Sequence, residues 1–272
     1  MPAPDSDRKF AGSIPQLYEQ YLVPLIFQPY AVDLAARVAR QQPLRVLEIA
    51  AGTGVVTRQL AQVLPRDSTI VATDLNQPML DEAAARGTAR AVEWKAADAM
   101  QLPFADQSFD AVVCQFGVMF FPEKAKAFAE ARRVLRDGGS LFFNAWDRIE
   151  VNEVSDTVTQ SLALVFPSDP PRFLARVPHG YHDVDRIARD LAEGGFTQVP
   201  EIATVAERSR ADGAYPAAFA KCQGTPLRNE IEARDPNGLE RATQAAAAAL
   251  TRRFGTGPID GRIQAHVVEA RR

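Results

Sequence analysis

The stretch RVLEIAAGTG, Arg45 to Gly54, runs from branched aliphatic residues into small ones, as a buried strand ending in a tight turn does. Working outward, VVTRQLAQVL (55–64) has the period of a helix and stops at Pro65, which lacks the backbone donor a helix interior needs. TIVATDL (69–75) is a second strand. Pro78 then stands where a first helical turn tolerates it, ahead of MLDEAAARG with Gly87 as its stop. AVEWKAAD (91–98) and FDAVVCQFG (109–117) continue the strands, PEKAKAFAEARRVLR (122–136) is an amphipathic helix, and SLFFNAWD (140–147) is a fifth strand. Strands alternating with helices predict an α/β fold with a mostly parallel sheet covered on both faces.

Gly52 and Gly54 lie between a strand and a helix, where backbone can approach a ligand and the helix start offers unpaired amides. Asp74 ends the next strand, at the crevice where an open α/β sheet receives ligands, and its carboxylate can accept both hydroxyls of a ribose. A dinucleotide fingerprint would place a third glycine where Thr57 stands, and no triphosphate loop is present. The pattern therefore favours a ligand with a ribose and no phosphate.

The rest of the chain is less regular. Residues 150–180 combine a helical pattern with FPSDPPRFLARVP, whose prolines impose extended or turn geometry, and read as a cap inserted over the sheet. A helix at DVDRIARDLAEGG (183–195), a strand at FTQVPEIATVAER interrupted at Pro200, helical patterns over 214–222 and 238–254, and a final strand at RIQAHVVEARR (262–272) follow. Residues 14–40 read as helix, breaking at Pro24 and resuming at Tyr30. The expected organisation is one domain over 1–272: a helical segment 14–40, a ligand-binding core 41–147, a cap 148–182, and the remaining sheet over 183–272.

With 272 residues and a formal net charge of −3, the chain offers no electrostatic case for a nucleic-acid partner. Its first residues, MPAPDSDRKF, lack an apolar run, and no stretch approaches the about 18 apolar residues of a membrane span, so a cytoplasmic protein is expected. Cys114 and Cys222 stand far apart, without the spacing of a disulfide framework or a thiolate metal site, and no metal is expected.

Over roughly residues 40–150 the chain resembles the class I S-adenosylmethionine-dependent methyltransferases, especially the ubiquinone/menaquinone-biosynthesis branch. The family's first motif is matched by Glu48, Ala50, Gly52 and Gly54, with Ala50 in place of the first glycine, and Asp74 matches the acidic end of its second strand. GTGVVTRQLA, AADAMQLPFADQSFDAVVCQFGVMFF and AFAEARRVLRDGGSLFFNAWD follow the family through its post-loop helix and its third to fifth strands. The resemblance implies a three-layer Rossmann-like, seven-stranded sheet with its last strand antiparallel. It also implies S-adenosylmethionine as cofactor and S-adenosylhomocysteine as product. By the same resemblance, Gly52 and Gly54 let the backbone pass the methionine part and Glu48 orders the loop beneath it. Asp74 holds the ribose, Leu75 and Met79 pack the adenine faces, Asp98 and Ala99 meet the adenine edge, and Gln115 faces the same crevice. Met79 also suits plain core packing, and Asp98 the capping of a turn.

Methyl transfer asks mainly for alignment and exclusion of water, so the lack of a catalytic signature is no objection. An acceptor hydroxyl or acidic carbon benefits from a base, and histidine is poised for that at neutral pH. His179 and Tyr181, in VPHGYHD after the fifth strand, are the candidates; His182 and Asp183 alternatively just start the helix, with Asp183 as N-cap, and His266 reads as structural within a strand. Tyr18, Tyr21, Phe27 and His179 are the acceptor-lining candidates, with Tyr30, Phe166, Phe173 and Leu174 either joining them or packing the core. The expected function is methyl transfer to the oxygen or carbon of a small apolar or aromatic acceptor. Two competitors remain: a cofactor-binding regulatory protein without turnover, and an NAD-dependent oxidoreductase, against which Thr57 speaks.

Overall fold

The computed structural model describes residues 5–8 and 10–272. A helical run opens the fold as α1 (Ile14–Leu17), a π-helical stretch (Tyr18–Phe27) and α2 (Gln28–Arg40). The central alternation then comprises β1 (Arg45–Glu48), α3 (Val55–Val63), β2 (Thr69–Asp74), α4 (Gln77–Arg86), β3 (Glu93–Ala96), β4 (Phe109–Gln115), α5 (Lys124–Val134) and β5 (Leu135–Trp146). After it come α6 (Glu153–Val165), α7 (Phe173–Arg176), α8 (Val184–Glu193), β6 (Glu201–Ala211), α9 (Ala214–Gln223), α10 (Leu227–Arg234), α11 (Leu239–Phe254) and β7 (Ile259–Arg271).

The strands form one sheet in the order β3-β2-β1-β4-β5-β7-β6, in which β7 runs antiparallel to both neighbours and the other pairs run parallel. This is the seven-stranded, mostly parallel sheet that the sequence led us to expect. Ala111 to Cys114 of β4 and Leu141 to Trp146 of β5 are buried without a break, because central parallel strands are covered on both faces and keep no polar side. Chain order reverses between β1 and β4, and their carboxyl ends leave the crevice in which such sheets bind ligands.

Three local expectations change. The helix does not break at Pro24. It continues from Ile14 to Arg40, and the π-helical ladder over 18–27 skips a residue, so the proline's missing N–H falls in a widened turn. Contrary to the expectation that no stretch reaches that length, this run alone among the described residues is long and apolar enough to cross a membrane, with a mean hydropathy of 1.2. In the fold 56% of its apolar window is buried, and Leu22, Leu25, Leu34 and Val38 are core residues. β5 begins at Leu135 rather than 140, its pairing with β4 shifting register between Phe109 and Ala111. Finally, α6 and α7 of the 148–182 stretch do not stand alone: α6 packs on α11, α11 on α9, and α7 on α10, so two separate connections build one helical layer.

Candidate functional site

The loop after β1 is held in an unusual backbone. Ala50, Gly52 and Gly54 adopt φ of +52°, +57° and +80°. Two of the three are glycines, for which that region is free; the alanine is a departure that the surroundings must enforce. Beneath the loop, Glu48 is 1% exposed and accepts a 2.6 Å hydrogen bond from Thr57 Oγ1. Burial pushes the Glu48 carboxyl up to about 8. Gly52 N–H donates to Asp74 Oδ2 at 2.9 Å and Asn76 N–H to Asp74 Oδ1 at 2.8 Å, so the buried carboxylate ties the loop to the end of β2. Burial raises the Asp74 carboxyl above its ordinary range, against these amide bonds.

A cleft of about 740 Å³ opens over this loop. Of the expected residues, Ala50, Gly52, Asp74, Leu75, Met79, Asp98, Ala99 and Gln115 line it together with Tyr18. Met79 is both buried and cleft-lining, and Asp98 both lines the cleft and caps its turn, accepting from Met100 N–H at 2.9 Å. Gln115 Nε2 donates to Phe27 O at 3.4 Å while its buried Oε1 has no hydrogen-bond partner in the protein. Gly117 forms another wall; a Cβ there would lie 2.6 Å from Ala50 Cβ and 2.7 Å from Cys114 Sγ.

A second chamber, of about 500 Å³, adjoins the first and shares Phe10, Tyr18, Phe116 and Phe120 with it. Phe27, Phe173, Leu174, Trp146, His179, Lys221 and Thr225 are among its lining. Phe27 stacks on Tyr18 at 4.9 Å, and Phe116, at φ +50°, stacks on Trp146 at 3.8 Å. His179 is 4% exposed; its Nδ1 lies 2.8 Å from Asp147 O, which can only accept, so Nδ1 carries the proton and Nε2 is an acceptor. Burial pushes His179 down to about 3, so the ring is neutral throughout the working range.

Several expected residues are not brought to either chamber. Tyr181 is buried and lines neither chamber, its hydroxyl donating to Asp190 Oδ2 of α8 at 2.7 Å and its ring lying under the Lys124 ammonium. Tyr21 packs edge-on against Phe219 at 5.2 Å. Glu48 lies below the loop, and Gly54 is turned to Trp94 and Ala83, which a Cβ would meet at 3.0 and 3.1 Å. Both support the site without lining it. Tyr30 is core, donating to Val205 O, and Phe166 sits under the Arg241 guanidinium. Asp183 caps α8 by accepting from Asp185 and Arg186 N–H, His182 Nδ1 bonds the His179 carbonyl, and His266 is fixed between Thr204 and Asp147. Arg8, Phe10, Asn76, Phe120 and Phe121 also line the cleft, and no motif in the sequence marks them as site residues. QFGVMFFP, just past the end of β4, held the only local signal for the phenylalanines.

The space, the unpaired Gln115 oxygen, the Asp74 carboxylate and the glycine wall suit a nucleoside-sized ligand, since pockets for such molecules are concave, mostly apolar and carry few polar groups. Residues 47–143 match the family of methyltransferase domains. The chain is 32% identical over 168 residues to the ubiquinone/menaquinone biosynthesis C-methyltransferase of Ectopseudomonas mendocina, a match covering 57% of this chain and 66% of that enzyme, slightly less than two thirds of its length. Among solved structures it shares its fold with a [4+2]-cyclase, SpnF, at 18% identity and a TM-score of 0.58, covering 100% of this chain and 97% of the cyclase. It also shares it with phosphoethanolamine N-methyltransferase 2 of Haemonchus contortus, solved with S-adenosylhomocysteine, at 16% identity and a TM-score of 0.55, covering 95% of this chain and 56% of that one.

Proposed function

The chain belongs to the class I S-adenosylmethionine-dependent methyltransferases, and from that premise we propose that it transfers the methyl group of S-adenosylmethionine to an oxygen or carbon of a small apolar acceptor. The observation carrying this reading is the joining of two unlike chambers, one polar at its floor and one almost wholly aromatic and aliphatic. In this assignment the ribose hydroxyls donate to Asp74, Leu75 and Met79 flank the adenine, and Asp98 with the Ala99 amide meets its edge. Gln115 Oε1 gains the donor it lacks. Bound there, the cofactor supplies a methyl carbon on cationic sulfur, which keeps the C–S electron pair as the acceptor's own pair takes the methyl.

The protein's part is alignment and dryness. Phe27, Phe116, Trp146 and Phe173 exclude water from the acceptor, which raises the weight of every polar contact left inside. His179 Nε2 accepts a hydrogen bond from the acceptor's reactive O–H and orients it; with its pKa near 3 the ring is a poor store for the proton itself.

Calorimetric titration with S-adenosylhomocysteine tests the assignment. Micromolar binding is expected, weakened about ten- to a hundredfold in Asp74→Ala, since charge-assisted hydrogen bonds contribute about 1.5–3 kcal/mol. Binding of NADH in place of S-adenosylhomocysteine overturns it. Tight cofactor binding without transfer to any hydroxylated or enolic apolar acceptor favours a regulatory protein, a reading for which the cyclase of the same fold is a reminder that fold alone does not dictate chemistry.

A further inference from the structure

Lys221 projects from α9 into the second chamber and is 4% exposed. Its ammonium has no hydrogen-bond or ion-pair partner among the described residues. Among the described residues no aspartate or glutamate lines that chamber; Leu22, Ile26, Phe27, Trp146 and Phe173 do, and the other nitrogen-bearing side chains are His179 and the Trp146 indole, neither of them cationic. An ammonium removed from water with nothing to pair with costs several kcal/mol, and a methionine of similar length would fill the same space without that cost. The fold keeps the nitrogen in the lining of the chamber with no protein partner among the described residues.

Resting on the methyltransferase reading of the two chambers, we propose that Lys221 anchors the acceptor: the second chamber takes an apolar acid and pairs its anionic oxygen with the Lys221 ammonium. Three observations converge on that ligand class. The walls are aromatic and aliphatic, so the body of the molecule is apolar. With His179 neutral, Lys221 is the one positive charge among the described residues that line the chamber, and His179 offers Nε2 to a hydroxyl on the same molecule. Desolvation by burial pushes Lys221 down to about 7, and an anion paired with it favours the charged form again.

The test uses two probes of one shape, 2-naphthoate and 2-naphthamide, titrated into the full chain saturated with S-adenosylhomocysteine. The wild type is expected to bind the carboxylate at least about tenfold tighter than the amide, one charge-assisted hydrogen bond's worth of discrimination. Lys221→Met should abolish the preference and Lys221→Arg should keep part of it, both with unchanged affinity for S-adenosylhomocysteine. Equal affinity for the two probes, no carboxylate binding at millimolar concentration, or a preference that survives in Lys221→Met overturns the proposal. So does a loss of S-adenosylhomocysteine binding confined to the Lys221 variants, which would assign the lysine to the cofactor. If S-adenosylhomocysteine fails to bind the wild type, the methyltransferase reading falls first and takes this one with it.

Discussion

Glu48 shows how one residue can serve a site it does not line. Its carboxyl is buried under the loop and bonded by Thr57 Oγ1, a hydrogen bond that favours the carboxylate but that a protonated acid or an amide oxygen can also accept. Because burial lifts it from an ordinary 4.5 to about 8, the folded chain holds a proton there that the unfolded chain has released between those values. Stability contributed by Glu48 is therefore complete below about pH 4.5 and is lost as pH rises toward 8. Glu48→Gln, which cannot ionise, should gain on the wild type across that interval, and thermal melts at pH 5 and pH 8 read the difference at about 2–4 °C per kcal/mol. Equal melting shifts at the two pH values would mean that Glu48 stays charged in the fold. At this scale the sequence was informative wherever chemistry is local: Glu48, Gly52 and Asp74 sit within 27 consecutive residues and were found. Lys221 and Arg8 were not, since each reaches the site only after distant segments fold onto it, and neither has a local pattern that separates it from a surface cation.

The elements turn those residues into walls. β4 ends at Gln115 and hands over to Phe116 and Gly117, where the chain must pass between the β1 loop and the Trp146 ring at the end of β5. Phe116 is held at a positive φ that a bulky side chain seldom adopts, kept there by its stack on Trp146, its edge on Tyr30 and the bond from its N–H to Asn144 Oδ1 at 3.0 Å. Gly117 then has no room for a methyl group against Ala50 of the β1 loop and Cys114 of β4. Gly117→Ala should push the β1 loop out of register with Asp74, lowering Tm by several degrees and weakening S-adenosylhomocysteine binding by at least about tenfold, a cost within the usual 1–3 kcal/mol of overpacking. Calorimetry on the variant decides it, and wild-type affinity would show that the loop yields at no cost. The alternation of strands and helices was legible because hydrophobic period and Gly/Pro punctuation are local. Pro24 was not, because a proline is tolerated once the ladder around it widens, and the pairing of α6 with α11 joins residues about a hundred positions apart.

For the whole molecule, the two chambers are built at the expense of stability. Lys221, 4% exposed, puts a nitrogen without a partner among the described residues into a mostly aromatic and aliphatic chamber, and burial lowers its pKa from 10.5 to about 7. Between those values the unfolded chain binds a proton that the folded chain does not, so stability rises with pH across the interval and the lysine's penalty is complete below about pH 7. Lys221→Met should therefore melt several degrees above the wild type at pH 6–7, with the gap closing toward pH 10, while its discrimination between naphthoate and naphthamide disappears. The opposite slope follows from Glu48, and the His179 ring, lowered from 6.5 to about 3, removes stability only as pH falls through that lower range. These windows overlap, Glu48 with His179 between pH 4.5 and 6.5 and Glu48 with Lys221 between pH 7 and 8, so it is the variants that separate them: melting curves of Glu48→Gln and Lys221→Met against pH each remove one residue's contribution. A Lys221→Met protein no more stable than the wild type at pH 7 would mean that the ammonium finds water or a partner in solution, and the buried charge would then no longer point to an anionic acceptor.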